Sequence, residues 1–258
     1  MELKTMSTDQ ETFEAMTATV QKFFPKYKVT AKKDSWLHRT IGWILKPFNP
    51  RYMVDFWTYF GNNLVYPEES YPGAHFRSWD VQIHEGTHAG QEKEYTTPLW
   101  GSLYLLGTPV PGIVGTLVAL PLLITGLLVP AFLSWWISLI VLGLGILLSS
   151  PVPFAFWRSE WELQDYGTSV AIAYWCYGEK VVTDKRIEEM VSIFATGSYF
   201  WMNVFKSRVR KRLFKARQMA RDGTFITKWE PRYSKFYAAC YLTLKDQGRL
   251  VSKNAYSE

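Results

Sequence analysis

The chain has 258 residues, a formal net charge of +6, 48% hydrophobic residues and 17% aromatic residues. That length accommodates one enlarged domain, or a small domain with a membrane hairpin, and the heavy aromatic content suits a chain at a membrane boundary or packed in a larger assembly. Cys176 and Cys240 are the only cysteines and stand far apart, which argues against a disulfide framework and against a cysteine zinc site.

Met1 to Thr30 is polar and amphipathic, with no cleavable signal pattern. Within it, Phe13, Met16, Val20, Phe23 and Phe24 recur at helical spacing and predict a helix over 9–24, stopped by Pro25. Lys26, Lys28, Lys32 and Lys33 add positive charge, and Trp36 to Leu45 reads as a short helix ending before Pro47. Val54 to Tyr66 reads as a strand or hairpin turning near Gly61, Asn62 and Asn63. An edge strand there could hold an extended peptide through main-chain bonds.

The run His84-Glu85-Gly86-Thr87-His88 follows, in a chain with 4 histidines. On a helix, residues four apart share a face, so His84 and His88 can grip one cation while Glu85 projects beside it. Two neutral imidazoles suit zinc, and the carboxylate suits a general base. Ser78 reads as the N-cap, with Asp80 in the first turn and Val81 and Ile83 as apolar anchors. Gly86, Ala89 and Gly90 would allow another element to approach closely, since glycine otherwise costs helix stability. A ligand six residues beyond His88, after a glycine turn, is one known way to complete such a site. Here Gln91 stands at the turn and Glu94 at the ligand position, so that pattern fails.

No charged residue lies between Glu94 and Arg158. Ile113 to Leu133 and Trp135 to Leu148 are nearly continuous apolar runs, readable as two membrane segments joined near Pro130 to Ser134. Trp100, Tyr104, Trp135, Trp136 and Trp157 fall near the ends or the turn, as an aromatic belt would. Gly112, Gly115, Gly126, Gly143 and Gly145 would let the pair pack closely. Pro121, Pro130 and the shorter second run leave three readings: complete crossing, re-entry from one side, or a buried core hairpin.

The stretch Arg158 to Tyr166 supplies a distant acidic ligand, with Glu162 preferred and Glu160 second. Arg158 and Glu162 are i,i+4, and Asp165 is placed to orient a histidine ring. Trp157, Trp161, Leu163 and Tyr166 make this a mostly apolar helix, where a carboxylate requires a partner. The helix should run to Cys176 or Tyr177 and stop at Gly178. Another runs from about Lys185 to Phe194 behind Asp184, and a last one covers about Tyr233 to Lys245.

Before that last helix, Lys206, Arg208, Arg210, Lys211, Arg212, Lys215, Arg217 and Arg221 are interleaved with Phe205, Val209, Leu213 and Phe214. Such a helix suits an anionic membrane surface and would place the soluble parts on the cytoplasmic side. Nucleic-acid phosphate is the competing partner, and an ordinary solvated face the third reading.

His84 to Gln91, followed by Glu162-Leu163-Gln164-Asp165-Tyr166, resembles the gluzincin metallopeptidases, nearest to the small minigluzincin type common in bacterial and phage genomes. Phe60 to Pro67 also resembles the strand that such proteins place before the histidine helix, so the resemblance covers roughly 53–202. It implies zinc held by His84, His88 and Glu162, with Glu85 as general base. Asp165 departs from the alanine usual there, and the apolar insert is a second departure. A layout with membrane helices between the two zinc helices is similar in topology to the prenyl-protease-like membrane metallopeptidases.

The resulting expectation is a mainly α (α+β) chain, with a zincin-like helical core, a small β-hairpin or sheet and an inserted apolar hairpin. Its parts would be 1–98 with the histidine helix, 99–157 as the insert, and 158–258 with the glutamate helix and the basic helix. Tyr199, His75 and Arg77 are possible stabilisers of an oxyanion, by position or residue type. The expected activity is hydrolysis of a peptide or protein substrate at a membrane. The alternative is a non-enzymatic structural or interaction protein of a virion or membrane complex.

Overall fold

The computed structural model describes residues 8–46, 50–55, 57–67, 78–106, 109–128, 132–148, 155–196, 202–203 and 205–251. The protein is mainly helical with one small three-stranded sheet. It divides into two compact units, one of 1–97, 164–184 and 212–258, the other of 98–163 and 185–211. His75, Arg77 and Tyr199 lie outside the described residues.

The first unit opens with α1 (Asp9–Phe23), one residue shorter than its periodicity implied. Thr8 caps it: its hydroxyl accepts from Glu11 N–H at 3.2 Å while its own N–H donates to the Glu11 carboxylate at 2.7 Å. This reciprocal pair satisfies two otherwise orphaned donors. Phe13, Met16 and Val20 form the buried face, as their spacing requires. Strand β1 (Lys28–Ala31) follows, unforeseen in the lysine-rich segment, and then α2 (Trp36–Leu45).

The segment expected to be a strand from Val54 begins instead as a helical turn, α3 (Tyr52–Asp55). The hairpin itself is β2 (Thr58–Phe60) and β3 (Asn63–Tyr66), antiparallel, with β1 parallel to β3 on the other side. Gly61 and Asn62 both have φ of 62°. Positive φ at both central residues is what a tight two-residue hairpin demands, and glycine and asparagine supply it cheaply.

Helix α4 (Ser78–Tyr95) carries the histidine motif, with Asp80 in its first turn. Ser78 is its first helical residue, rather than the residue before the helix. Thr96, at φ 67°, ends it. The long helix α8 (Phe156–Tyr177) is buried along most of its later part and stops at Gly178, whose φ is 70°. Its residues up to Leu163 belong to the second unit and those from Gln164 to the first.

The second unit contains α5 (Thr97–Leu105), α6 (Pro109–Leu128), α7 (Phe132–Leu148), the start of α8, α9 (Asp184–Phe194) and the start of α10 (Lys206–Arg221). Helices α6 and α7 lie antiparallel with backbones in direct contact. A Cβ on Gly145 would stand 2.9 Å from Pro111 O and 3.1 Å from Gly115 Cα. Gly112, Gly115 and Gly145 therefore make the contact, whereas Gly143 faces open space. Of the three readings of the apolar stretch, complete crossing is not supported: among the described residues, no helix is long and apolar enough to cross a membrane. The 17 residues of α7 reach only ~26 Å at ~1.5 Å per residue, short of a ~30 Å hydrocarbon core. Trp100 is no belt residue either, being buried against Trp161.

Helix α10 meets acids along its length. Arg208 pairs with Glu160 at 2.7 Å and Arg210 with Glu188 at 2.5 Å. Arg212 reaches Glu230 at 3.4 Å, Arg217 reaches Asp184 at 2.6 Å and Arg221 reaches Glu179 at 3.2 Å. Val209, Leu213, Ala216 and Ala220 are its buried face, while Lys211 and Lys215 are exposed. The chain continues into α11 (Phe225–Lys228) and α12 (Ser234–Asp246).

The first unit depends on close approaches at glycine. A Cβ on Gly86 would meet the Phe236 ring at 2.6 Å, and one on Gly90 the Tyr233 ring at 2.7 Å. On α8, a Cβ on Gly167 would stand 2.0 Å from Trp229, whose indole N–H donates to Gln164 O at 3.1 Å. Overpacking of this kind costs ~1–3 kcal/mol and outweighs the ~1 kcal/mol of helix propensity that alanine gains. Gly167→Ala should therefore lower stability by roughly 1–2 kcal/mol, measured by urea denaturation.

Candidate metal centre

Helix α4 places His84, His88 and Gln91 along one side, with Glu85 next to His84. Helix α8 presents Glu162, Asp165, Tyr166 and Ser169, spaced three, four and seven residues from the first, so they share one face. The two faces meet through specific contacts. His88 Nδ1 lies 2.8 Å from Asp165 Oδ2 and 2.8 Å from Gln91 Oε1. His84 Nδ1 lies 3.0 Å from Ser169 Oγ, and its ring meets Tyr166 edge-on at 5.5 Å between centroids. Gln91 in turn donates to Gln164 Oε1 at 3.0 Å and to Asp165 Oδ2 at 3.4 Å.

These bonds decide which nitrogen each ring can offer. A carboxylate and an amide oxygen at His88 Nδ1 hold the proton there, leaving the Nε2 lone pair for a cation. Ser169 does the same for His84 when its oxygen accepts from Nδ1. One ligand atom from each of His84, His88 and Glu162 lies within 4.8 Å of the other two. His88 and Glu162 are buried and His84 is half-buried. Two imidazoles and a carboxylate form the donor set of an open zinc site with three protein ligands. The residues present thus fit a divalent cation.

Glu160, the other acid considered, turns to Arg208 and is not one of the three. Asp165 is fully buried beside His88 and orients that ring. Glu85 is buried, and its negative charge reaches the sheet. Burial chiefly, and then the Glu85 carboxylate, hold the Tyr27 phenol well above its ordinary range. Tyr59 is raised for related reasons: burial first, then its bond to Glu92, with Glu85 a smaller contributor. Glu92 Oε2 accepts from Tyr59 at 2.6 Å and from Asn62 N–H at 3.1 Å, pinning the β2–β3 turn to α4. Tyr59 stacks on His88 with centroids 6.5 Å apart, which brings strand β2 beside the histidines.

Three participants were not read as site residues in the sequence. Ser169 sits seven residues beyond Glu162, a spacing visible only once the helix face is known. Gln91 closes the family-like motif, but its partners lie on another helix. Tyr104, whose hydroxyl donates to Glu162 Oε1, comes from α5 with no spacing signal. Comparison with protein-family models, with curated proteins and with solved structures finds no match to this chain. Expected outcome: Glu162→Gln loses a bound divalent cation, whereas Glu160→Gln retains it, by elemental analysis of the purified proteins.

Proposed function

We propose that this protein is a zinc-dependent peptidase held at a membrane surface by its apolar helix pair. The observation that carries the reading is the convergence of His84, His88 and Glu162 within 4.8 Å, with both imidazole Nδ1 atoms engaged by neighbouring oxygens. Zinc bound by this set would supply Lewis acidity, making water a stronger acid and a carbonyl carbon more electrophilic. Glu85 is the base: its carboxylate takes a proton from water and passes it to the departing amine. Asp165 and Gln91 hold the His88 ring, and Ser169 the His84 ring, so neither must reorient during turnover. Strand β2 is an edge of the described sheet, and an extended peptide adding to it would lie alongside the histidine helix.

The apolar pair supports the membrane part of the proposal. Val114, Leu117, Val118, Leu120 and Ile124 on α6 are exposed, as are Trp135, Trp136, Leu139, Ile140, Leu144, Ile146 and Leu147 on α7. At 100° per residue, these positions sweep about 160° of α6 and about 180° of α7, wider than the ~100° stripe that packs on a core. Lipid surrounds such a surface; a single protein groove does not. Among the described residues neither helix combines the length and the apolarity of a complete span, and entry into lipid from one side is the form of membrane contact that this reading takes. The exposed Lys211 and Lys215 are compatible with an anionic, cytoplasmic face, but the ion-paired arginines of α10 are not available to phosphates in the same way.

A second reading has support of its own. The Tyr104 hydroxyl already engages one oxygen of Glu162, which also suits a metal centre that only ties helices together in a non-enzymatic interaction protein. Hydrolysis of a fluorogenic peptide mixture separates the two. Glu85→Gln should retain zinc while hydrolysis falls by roughly 100- to 10,000-fold. A wild-type protein that holds zinc and cleaves nothing would favour the structural role. Vesicle flotation checks the membrane part: the wild-type protein is expected to float, and the double variant Leu117→Asp, Ile140→Asp to remain in the dense fraction.

A further inference from the structure

Glu162 is the one member of the metal-binding trio that comes from α8, and the structure shows what holds it. The Tyr104 hydroxyl donates to Glu162 Oε1, so the two oxygens of this carboxylate are not equivalent toward a cation. The phenol is itself held on several sides. Its ring stacks on Trp100 with centroids 4.9 Å apart and lies nearly parallel to Trp161, at 6.5 Å and 9°. Trp100 and Trp161 stack on each other at 5.8 Å, and the Arg158 guanidinium carbon lies 5.4 Å from the centre of the Tyr104 ring. Trp100 and Trp161 are almost wholly buried, so this cluster has little freedom to rearrange. A tyrosine confined in this way can point its hydroxyl in few directions, and one of them is the ligand carboxylate.

We propose that Tyr104 is a positioning residue for the metal centre, holding Glu162 so that it offers a cation one oxygen rather than two. The inference rests on the metal-site reading above. A carboxylate with one oxygen hydrogen-bonded by a fixed phenol is pre-oriented, and the entropy of fixing it is lost on folding rather than on metal binding. Without the phenol, Glu162 is free to rotate or to chelate through both oxygens, which changes the coordination number and weakens the site. Tyr104 stands one residue before the end of α5, where the chain heads into the apolar pair. The orientation of a metal ligand is thereby set at the root of α6.

The test compares the wild-type protein with Tyr104→Phe and Trp161→Phe. Zinc affinity is measured by competition with a chromophoric chelator, thermal unfolding is followed on the metal-free proteins, and visible spectra are recorded after cobalt substitution. Tyr104→Phe keeps the ring and its stacking. It is expected to bind zinc roughly 10- to 100-fold more weakly, to melt like the wild type when metal-free and to show altered cobalt bands. Trp161→Phe, which keeps an aromatic ring beside Tyr104, the Trp100 stack and the phenol itself, should stay within about threefold of wild-type zinc affinity. Equal affinity and equal cobalt spectra in the wild type and Tyr104→Phe overturn the inference, and so does an equal loss in both variants, which would indicate packing alone. A wild-type protein that binds neither zinc nor cobalt fails at the earlier step, by removing the metal site itself.

Discussion

Asp165 is buried with no measurable exposure, and its Oδ2 lies 2.8 Å from His88 Nδ1. A carboxylate removed from water at that depth is costly unless donors surround it. Here the donors are the His88 ring and the Gln91 amide, both on α4. The pairing of α4 with α8 is therefore an electrostatic requirement as well as a packing preference. Sliding or rotating one helix against the other would strand the charge. Because the same contact assigns the proton on His88, the constraint that fixes the helix pair also leaves a nitrogen lone pair for a cation.

Small residues and large rings make that polar seam geometrically possible. Phe236 fills the space beside Gly86, Tyr233 the space beside Gly90, and Trp229 the space beside Gly167. Each ring is buried, and each occupies the volume that a Cβ would take. The glycines in the histidine helix thus serve the back of the helix, where α12 and its preceding turn press in, while the side that carries His84 and His88 is polar. Glu92 adds a further tie by holding the turn of the β2–β3 hairpin, so that sheet and histidine helix behave as one support.

The second unit obeys a different rule. Its apolar pair is joined where Gly112, Gly115 and Gly145 let the backbones touch. Most of its large side chains point outward, the reverse of what a water-soluble core produces. Close glycine packing inside and aliphatic side chains outside is the arrangement helices adopt when the surroundings are as apolar as their own surfaces. In the same unit, Trp100, Tyr104 and Trp161 form an aromatic cluster whose one hydroxyl is turned to Glu162.

Periodicity and local chemistry were enough to read much of this protein. The spacing of Phe13, Met16 and Val20, the glycine–asparagine turn, the stop at Gly178 and the i,i+4 histidines are all local properties, encoded within a few residues of where they act. The parallel strand Lys28–Ala31 was not legible, because the alternation of lysine, valine, threonine and alanine is only four residues long and pairing with β3 is what makes it a strand. The helical turn at Tyr52–Asp55 was missed for the same reason in reverse: valine and aromatic residues suggest a strand until their neighbours say otherwise. The charged run of α10 announced its charge but not its partners, since the acids that meet it come from four separate stretches of the chain.

By itself, then, the sequence determined which residues could bind a cation and that a long uncharged apolar stretch separates them. It ranked Glu162 ahead of Glu160 without a geometric reason; the two are two residues apart on one helix and so on different faces, one turned to Arg208 and the other grouped with the histidines. It could not reveal Ser169, Gln91 and Tyr104 as the groups that orient the ligands. Those choices depend on which way a helix is rotated, and rotation is set by burial and by partners far away in the chain.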